Sequence, residues 1–163
     1  MRGECIAHRG LFSYFCFMSI PELNEDGVLP EGIYDCTLDE IGERFGRFQT
    51  TDRRVHLFEN LCALVNEERA AGIAIEMLIN GSFVTDKPEP NDIDLLIVLP
   101  EDYIRAAALA PFRYNAISKS NLRRRYRFDV FVVGKDSTEY YERLRFFQGT
   151  REEKEKGILR LTI

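Results

Sequence analysis

The apolar and polar positions of this chain change period several times, and each change marks an element. Thr37-Leu38-Asp39-Glu40 has the spacing of a capping box, so a short helix is predicted to start there and end near Gly46. Arg53–Ala70 is the longest helical pattern. Val55, Phe58, Leu61, Cys62 and Val65 recur at three- and four-residue spacing, Thr51 or Asp52 supplies the cap, and Gly72 closes the helix. Ile73–Ile79 is an apolar run of strand length leading into a Gly81-Ser82 turn, and Asp92–Leu99 reads as its partner strand. A short helix is predicted from Pro100-Glu101-Asp102 through Ala110, stopped by Pro111, with Arg113–Asn121 as loop. Arg123–Val133, rich in aromatic and β-branched residues, reads as a strand. A helix across Tyr140–Gln148, capped by Asp136 or Ser137, and a final strand over Gly157–Ile163 complete the pattern. Asn24-Glu25-Asp26-Gly27 and Leu29-Pro30-Glu31-Gly32 are turn signals.

Strands and helices interleaved in this way predict an α/β (α+β) fold: a small mixed, twisted sheet with helices mainly on one face. No internal repeat, low-complexity tract or linker interrupts residues 23–163, which read as a single domain. Residues 1–22 read as an N-terminal extension. There the apolar Leu11–Ile20 run follows Arg2, His8 and Arg9, superficially like a signal peptide, but ten residues cannot span a bilayer and no small-x-small cleavage site follows. Met18 reads as the true start, with the first seventeen residues upstream of it.

Composition narrows the classes. A chain of 163 residues with 45% hydrophobic and 30% charged residues buries a sizeable core and is neither disordered nor membrane-spanning in character. A net charge of −5 argues against a general nucleic-acid-binding surface, yet Lys119, Arg123, Arg124, Arg125 and Arg127 fall within nine residues that contain no acid. The four cysteines (Cys5, Cys16, Cys36, Cys62) show no Cys-x-x-Cys spacing, which suggests reduced thiols in a cytoplasmic protein. Only His8 and His56 are present, so histidine-based nucleophilic catalysis has little to work with.

Carboxylates are therefore the candidate chemistry. Asp92 and Asp94, two apart at the start of a strand, should project to the same side with Ile93 turned into the core. Two acids so close repel each other unless a cation joins them, and magnesium is the natural hard, oxygen-loving occupant. On the Arg123–Val133 strand, alternation would put Arg125, Arg127 and Asp129 on one face. If the two strands are neighbours, three carboxylates converge, as a two-metal site requires. Each has a plainer reading: Asp92 and Asp94 facing water at a turn, and Asp129 paired with Arg127 or Lys135.

Gly81-Ser82, then Asp92-x-Asp94, then Asp129 on a later strand resembles the nucleotidyltransferase superfamily with the polymerase-beta-type fold, and most of all its small stand-alone bacterial members. The resemblance implies transfer of a nucleoside monophosphate from a nucleoside triphosphate to a hydroxyl, with Asp92, Asp94 and Asp129 as metal ligands and Asp129 also as base. It implies that magnesium, or manganese in its place, is the cofactor. Gly81 and Ser82 would hold the phosphates, with Thr85 beside them. Many such proteins carry an arginine just after Gly-Ser, whereas Phe83, Val84 and Thr85 stand here. Lys87, Arg125 or Arg127 would then supply the missing charge. The implied acceptor is a protein, an RNA end or a small molecule, and membership of a toxin–antitoxin or defence pair would bring a cognate protein partner.

Two other readings compete. The fold could be kept without turnover, as a nucleotide-sensing or partner-binding module. Lys119–Arg127 could instead serve an RNA-binding regulator, whose affinity would fall steeply with salt.

Overall fold

A computed structural model describes residues 19–101, 111–149 and 155–163. Five strands, β1 (Ile33–Asp35), β2 (Glu76–Asn80), β3 (Asp94–Leu99), β4 (Asp129–Gly134) and β5 (Ile158–Thr162), form one mixed sheet in the order β1-β5-β2-β3-β4. β2 runs antiparallel to both β3 and β5, while β1 pairs with β5 and β3 with β4 in parallel. The described helices are α1 (Leu38–Phe45), α2 (Arg53–Ala71), α3 (Pro111–Ile117), α4 (Lys119–Tyr126) and α5 (Thr138–Gln148). The expected α+β architecture is the observed one.

The helices divide unequally between the two faces. Ile41 and Phe45 of α1, Leu57, Leu61, Leu64 and Val65 of α2, Ala116 of α3 and Leu122 of α4 pack with Met77, Ile79, Leu95 and Ile97 of the sheet. Tyr140 and Phe147 of α5 cover the opposite face, against Leu78, Leu96, Val98, Val133 and Ile158. β3 is apolar on both faces because helices flank both of them, so its side chains beyond Asp94 are all buried.

Local signals account for most boundaries. Thr37 and Glu40 form the capping box of α1, with Thr37 Oγ1 accepting from the Glu40 amide and Glu40 accepting from the Thr37 amide at 2.7 Å. α2 ends at Gly72, which adopts the left-handed conformation (φ 62°) that glycine enters without a Cβ clash. Ser137, one of the two expected caps, accepts from the Tyr140 amide to start α5. The buried side of α2 is rotated from the expected stripe: Arg54, Leu57, Leu61, Leu64, Val65 and Glu68 are inside, while Val55, Phe58 and Cys62 are only half-buried. Two charged side chains thus lie on the inner face, where a pattern of apolar residues cannot register them.

The stretch 111–126 corrects the sequence reading. Pro111 is the first residue of α3, a place that suits a residue with fixed φ and no amide hydrogen, and residues 113–117 are helix where loop was expected. Lys119–Tyr126 is helix, not loop followed by strand. Leu122 and Tyr126, four residues apart, are its buried anchors, and Lys and Arg are good helix formers. Strand β4 begins only at Asp129. The helix expected over 100–110 lies largely outside the described residues, as do Cys5, Cys16 and most of the N-terminal extension. Among the described residues, no helix is long and apolar enough to cross a membrane.

Candidate functional site

Sheet register brings three polar residues into one row. Asn80 on β2 pairs with Asp94 on β3, and Asp94 pairs with Asp129 on β4. Each lies two residues from Leu78, Leu96 or Phe131, which belong to the α5-side cluster, so all three side chains project to that face. Asp94 and Asp129 stand at the first residues of two parallel neighbouring strands. The expected adjacency of the two acidic strands is thus present, although β3 starts at Asp94 and leaves Asp92 in the connection before it.

The loop from Gly81 to Asp92 closes the end of this row. Gly81 has φ 90° and ψ −173°, and a Cβ there would meet the Asp94 amide nitrogen at 2.8 Å, so only glycine fits. Ser82 opens a single 3-10 turn through Val84. Its hydroxyl donates to Asp92 Oδ1 at 2.8 Å and accepts from the Asn91 amide at 2.8 Å, while its amide also donates to Asp92 Oδ1 at 3.2 Å. Ser82 therefore fastens Asp92 beside the turn. Thr85 Oγ1 donates to the Ser82 carbonyl at 2.7 Å, tightening the same turn.

Two arginines that the sequence did not single out hold this loop on α2. Arg54, 1% exposed, donates to the carbonyls of Phe45, Phe83, Thr85 and Lys87, the last two at 2.7 and 2.6 Å. Its guanidinium also lies 5.7 Å from the centre of the Phe83 ring. Arg53 donates to the carbonyls of Pro90 and Asn91, at 3.0 and 2.6 Å. Nothing in a one-dimensional pattern separates them from arginines on an exposed helix face.

Electrostatics concentrate on Asp94. Burial first, then the Asp92 and Asp129 carboxylates, push its carboxyl up to about 6, while Lys156 pulls the other way. Lys156 is itself half-buried, and burial pulls its ammonium down against the attraction of Asp94 and Asp92. It lies just before β5 in a run of mixed charges that gives no sequence signal. Its position matters: Lys156 and Asp94 both line a cleft of about 340 Å³ with Gly81, Ser82, Thr85, Lys87 and Asp92, and a neighbouring cleft of about 680 Å³ with Asn80, Phe146 and Phe147.

Of the residues chosen from sequence, Gly81, Ser82, Thr85, Lys87, Asp92 and Asp94 share the smaller cleft, and Asp129 adjoins Asp94 in the row. Arg125 and Arg127 do not join them. Arg125 belongs to α4 and makes a two-pronged ion pair with Glu67 at 2.7 and 2.6 Å. Arg127 caps the end of α4 in a left-handed conformation and shares no strand face with Asp129. Because helix replaces the expected strand here, their alternation with Asp129 does not exist. The cation that reaches Asp129 is Arg123, at 3.1 Å, whereas Lys135 pairs with Glu76. In this geometry no three acidic, histidine or cysteine side chains among the described residues enclose a metal position. Asp129 is paired with Arg123, and Asp92 with Ser82. The donor set nevertheless suits a hard dication: three carboxylates at one sheet end, one of them raised by burial and then by the other two.

Residues 21–162 match the model of a protein family, DUF6932, described as a family of unknown function, and the chain belongs to that family. Neither the curated proteins nor the solved structures contain a significant match.

Proposed function

We propose that the protein is a nucleotidyltransferase that moves a nucleoside monophosphate from a nucleoside triphosphate to a hydroxyl and releases pyrophosphate. The observation that carries this reading is the register pairing of Asp94 with Asp129, beside a glycine–serine turn that holds Asp92. The triphosphate would lie in the smaller cleft, over the Gly81-Ser82 turn and beside Lys87 and Lys156, the cations that line that cleft. Magnesium bound by Asp92, Asp94 and Asp129 would neutralise charge on the phosphates and raise the acidity of the attacking hydroxyl. The acceptor oxygen forms a bond to the α-phosphorus, the bond from that phosphorus to the β-phosphate oxygen breaks, and the acceptor proton passes to Asp129. Pyrophosphate leaves along the Lys87 side. Positioning and charge neutralisation supply the catalysis, and the chain needs no further nucleophile.

A second reading keeps the fold and drops turnover. It is favoured by the Arg123–Asp129 ion pair and by the bonding of the Ser82 hydroxyl to Asp92, which together leave two of the family-like groups engaged with the protein itself. Thermal unfolding with each nucleoside triphosphate, with and without magnesium, tests the binding step that both readings share. Wild type should gain stability only when both are present, by roughly 2.7 kcal/mol at a hundredfold excess over the dissociation constant, and Asp94→Asn should lose the gain. Absence of any shift in wild type would overturn nucleotide binding altogether. Labelled-nucleotide transfer to an RNA or protein acceptor, abolished in Asp94→Asn, then separates the enzyme from the module.

A further inference from the structure

The larger cleft holds a group that the phosphate chemistry does not use. Asn80 is 3% exposed, and its Nδ2 donates to the Phe147 carbonyl at the end of α5. A carbonyl oxygen can only accept, so the amide orientation is fixed and the remaining atom must be the acceptor Oδ1. That oxygen is buried without a hydrogen-bond partner, an uncommon condition for a polar atom in a folded protein. Asn80 lines the cleft of about 680 Å³ together with Asp94, Lys156, Phe147 and the exposed ring of Phe146.

Asn80 is also the register partner of Asp94, which places it about 5 Å along the row from the acid at which the α-phosphate would sit. In a nucleotide, the group next to the α-phosphate is the sugar. Phosphate oxygens are acceptors and would be repelled by Oδ1, whereas ribose hydroxyls are donors. The two clefts meet at Asp94 and Lys156, one of them polar and the other carrying apolar aromatic wall.

We propose that the larger cleft is the nucleoside site, in which Asn80 Oδ1 accepts from a ribose hydroxyl and Phe146 supports the base. Asn80 is thus a specificity-determining residue that favours an intact ribose over a deoxy sugar. The inference rests on the nucleotidyltransferase reading of the same site and adds to it the sugar preference and the seat of the base.

The test titrates the four ribonucleoside triphosphates and their 2′-deoxy and 3′-deoxy counterparts, each with magnesium, against wild type, Asn80→Ala and Phe146→Ala. Loss of one of the two hydroxyls should weaken binding to wild type about tenfold, and the penalty should vanish in Asn80→Ala. Phe146→Ala, at a side chain 68% exposed and so harmless to folding, should weaken every triphosphate alike. Equal affinity of wild type for intact and deoxy sugars, or an undiminished penalty in Asn80→Ala, overturns the proposal. So does unchanged binding to Phe146→Ala. Should Asn80→Ala fail to fold, the wild-type series and Phe146→Ala still decide. If no triphosphate of any sugar binds wild type, the parent reading fails and takes this one with it, whereas binding indifferent to the sugar removes this one alone.

Discussion

A single guanidinium places the loop that carries Gly81 and Ser82. Arg54 reaches four carbonyls, and three of them belong to residues of that loop, Phe83, Thr85 and Lys87. The Phe83 carbonyl is buried and those of Thr85 and Lys87 are partly so, and all three lie outside the sheet, so the fork geometry of arginine satisfies what the sheet cannot. Replacement of Arg54 by Met keeps most of the stem volume and leaves the carbonyls unpaired. It should cost about 2–4 kcal/mol of stability in urea unfolding, and Arg54→Lys should recover only part of that loss. The same variants should weaken the magnesium-dependent triphosphate shift, because the Gly81–Asp92 loop loses its anchor. From sequence, Arg54 was one polar residue in a helical pattern, whereas Gly81, Ser82, Asp92 and Asp94 were legible because their spacing along the chain is itself the signal. Lys156 had no such spacing and became visible only when β5 brought it beside Asp94.

At the level of elements, α4 shows how a short polar helix is disguised. Its residues Lys119–Tyr126 contain just two buried anchors, Leu122 and Tyr126, among exposed basic side chains, and the aromatic, β-branched run after it spreads a strand signal backwards. The chain stops the helix by placing Arg127 at φ 59°, a conformation that costs a residue with a Cβ more than it costs glycine. Arg127→Gly should therefore stabilise the protein by about 0.5–1 kcal/mol, seen as a higher urea midpoint at unchanged slope. The helices with explicit caps, α1 and α5, were legible, since Thr37 and Ser137 act through bonds to residues three positions away. Strand β3 was legible for a different reason: an unbroken apolar run between turn residues fits only the interior of a sheet covered on both faces.

Across the whole molecule, stability should carry the mark of one acid. Glu68, on the inner face of α2, is fully buried with neither oxygen hydrogen-bonded, and burial together with the Glu67 charge pushes its carboxyl up to about 8. The folded protein then holds a proton that the unfolded chain releases near pH 4.5. Between those values the native state binds more protons, so stability falls as pH rises, is greatest below the lower value and levels off above the upper one. Urea unfolding should show a loss on the order of 2–4 kcal/mol from pH 5 to pH 8, and Glu68→Gln should flatten that part of the profile. A profile equally steep in the variant would show that Glu68 is not its source.

The sequence by itself determined the starts of α1, α2 and α5, the central strand, the turn at Gly81-Ser82 and the three acids, because each depends on neighbours within a few residues. Only the tertiary structure decided that Asn80, Asp94 and Asp129 form one row, that Lys156 lies beside Asp94, and that Arg125 serves Glu67. These facts depend on strand order and register and on which side of a helix meets the sheet. They join positions far apart in the chain, whose proximity is set by the packing of the whole core and not by any local period.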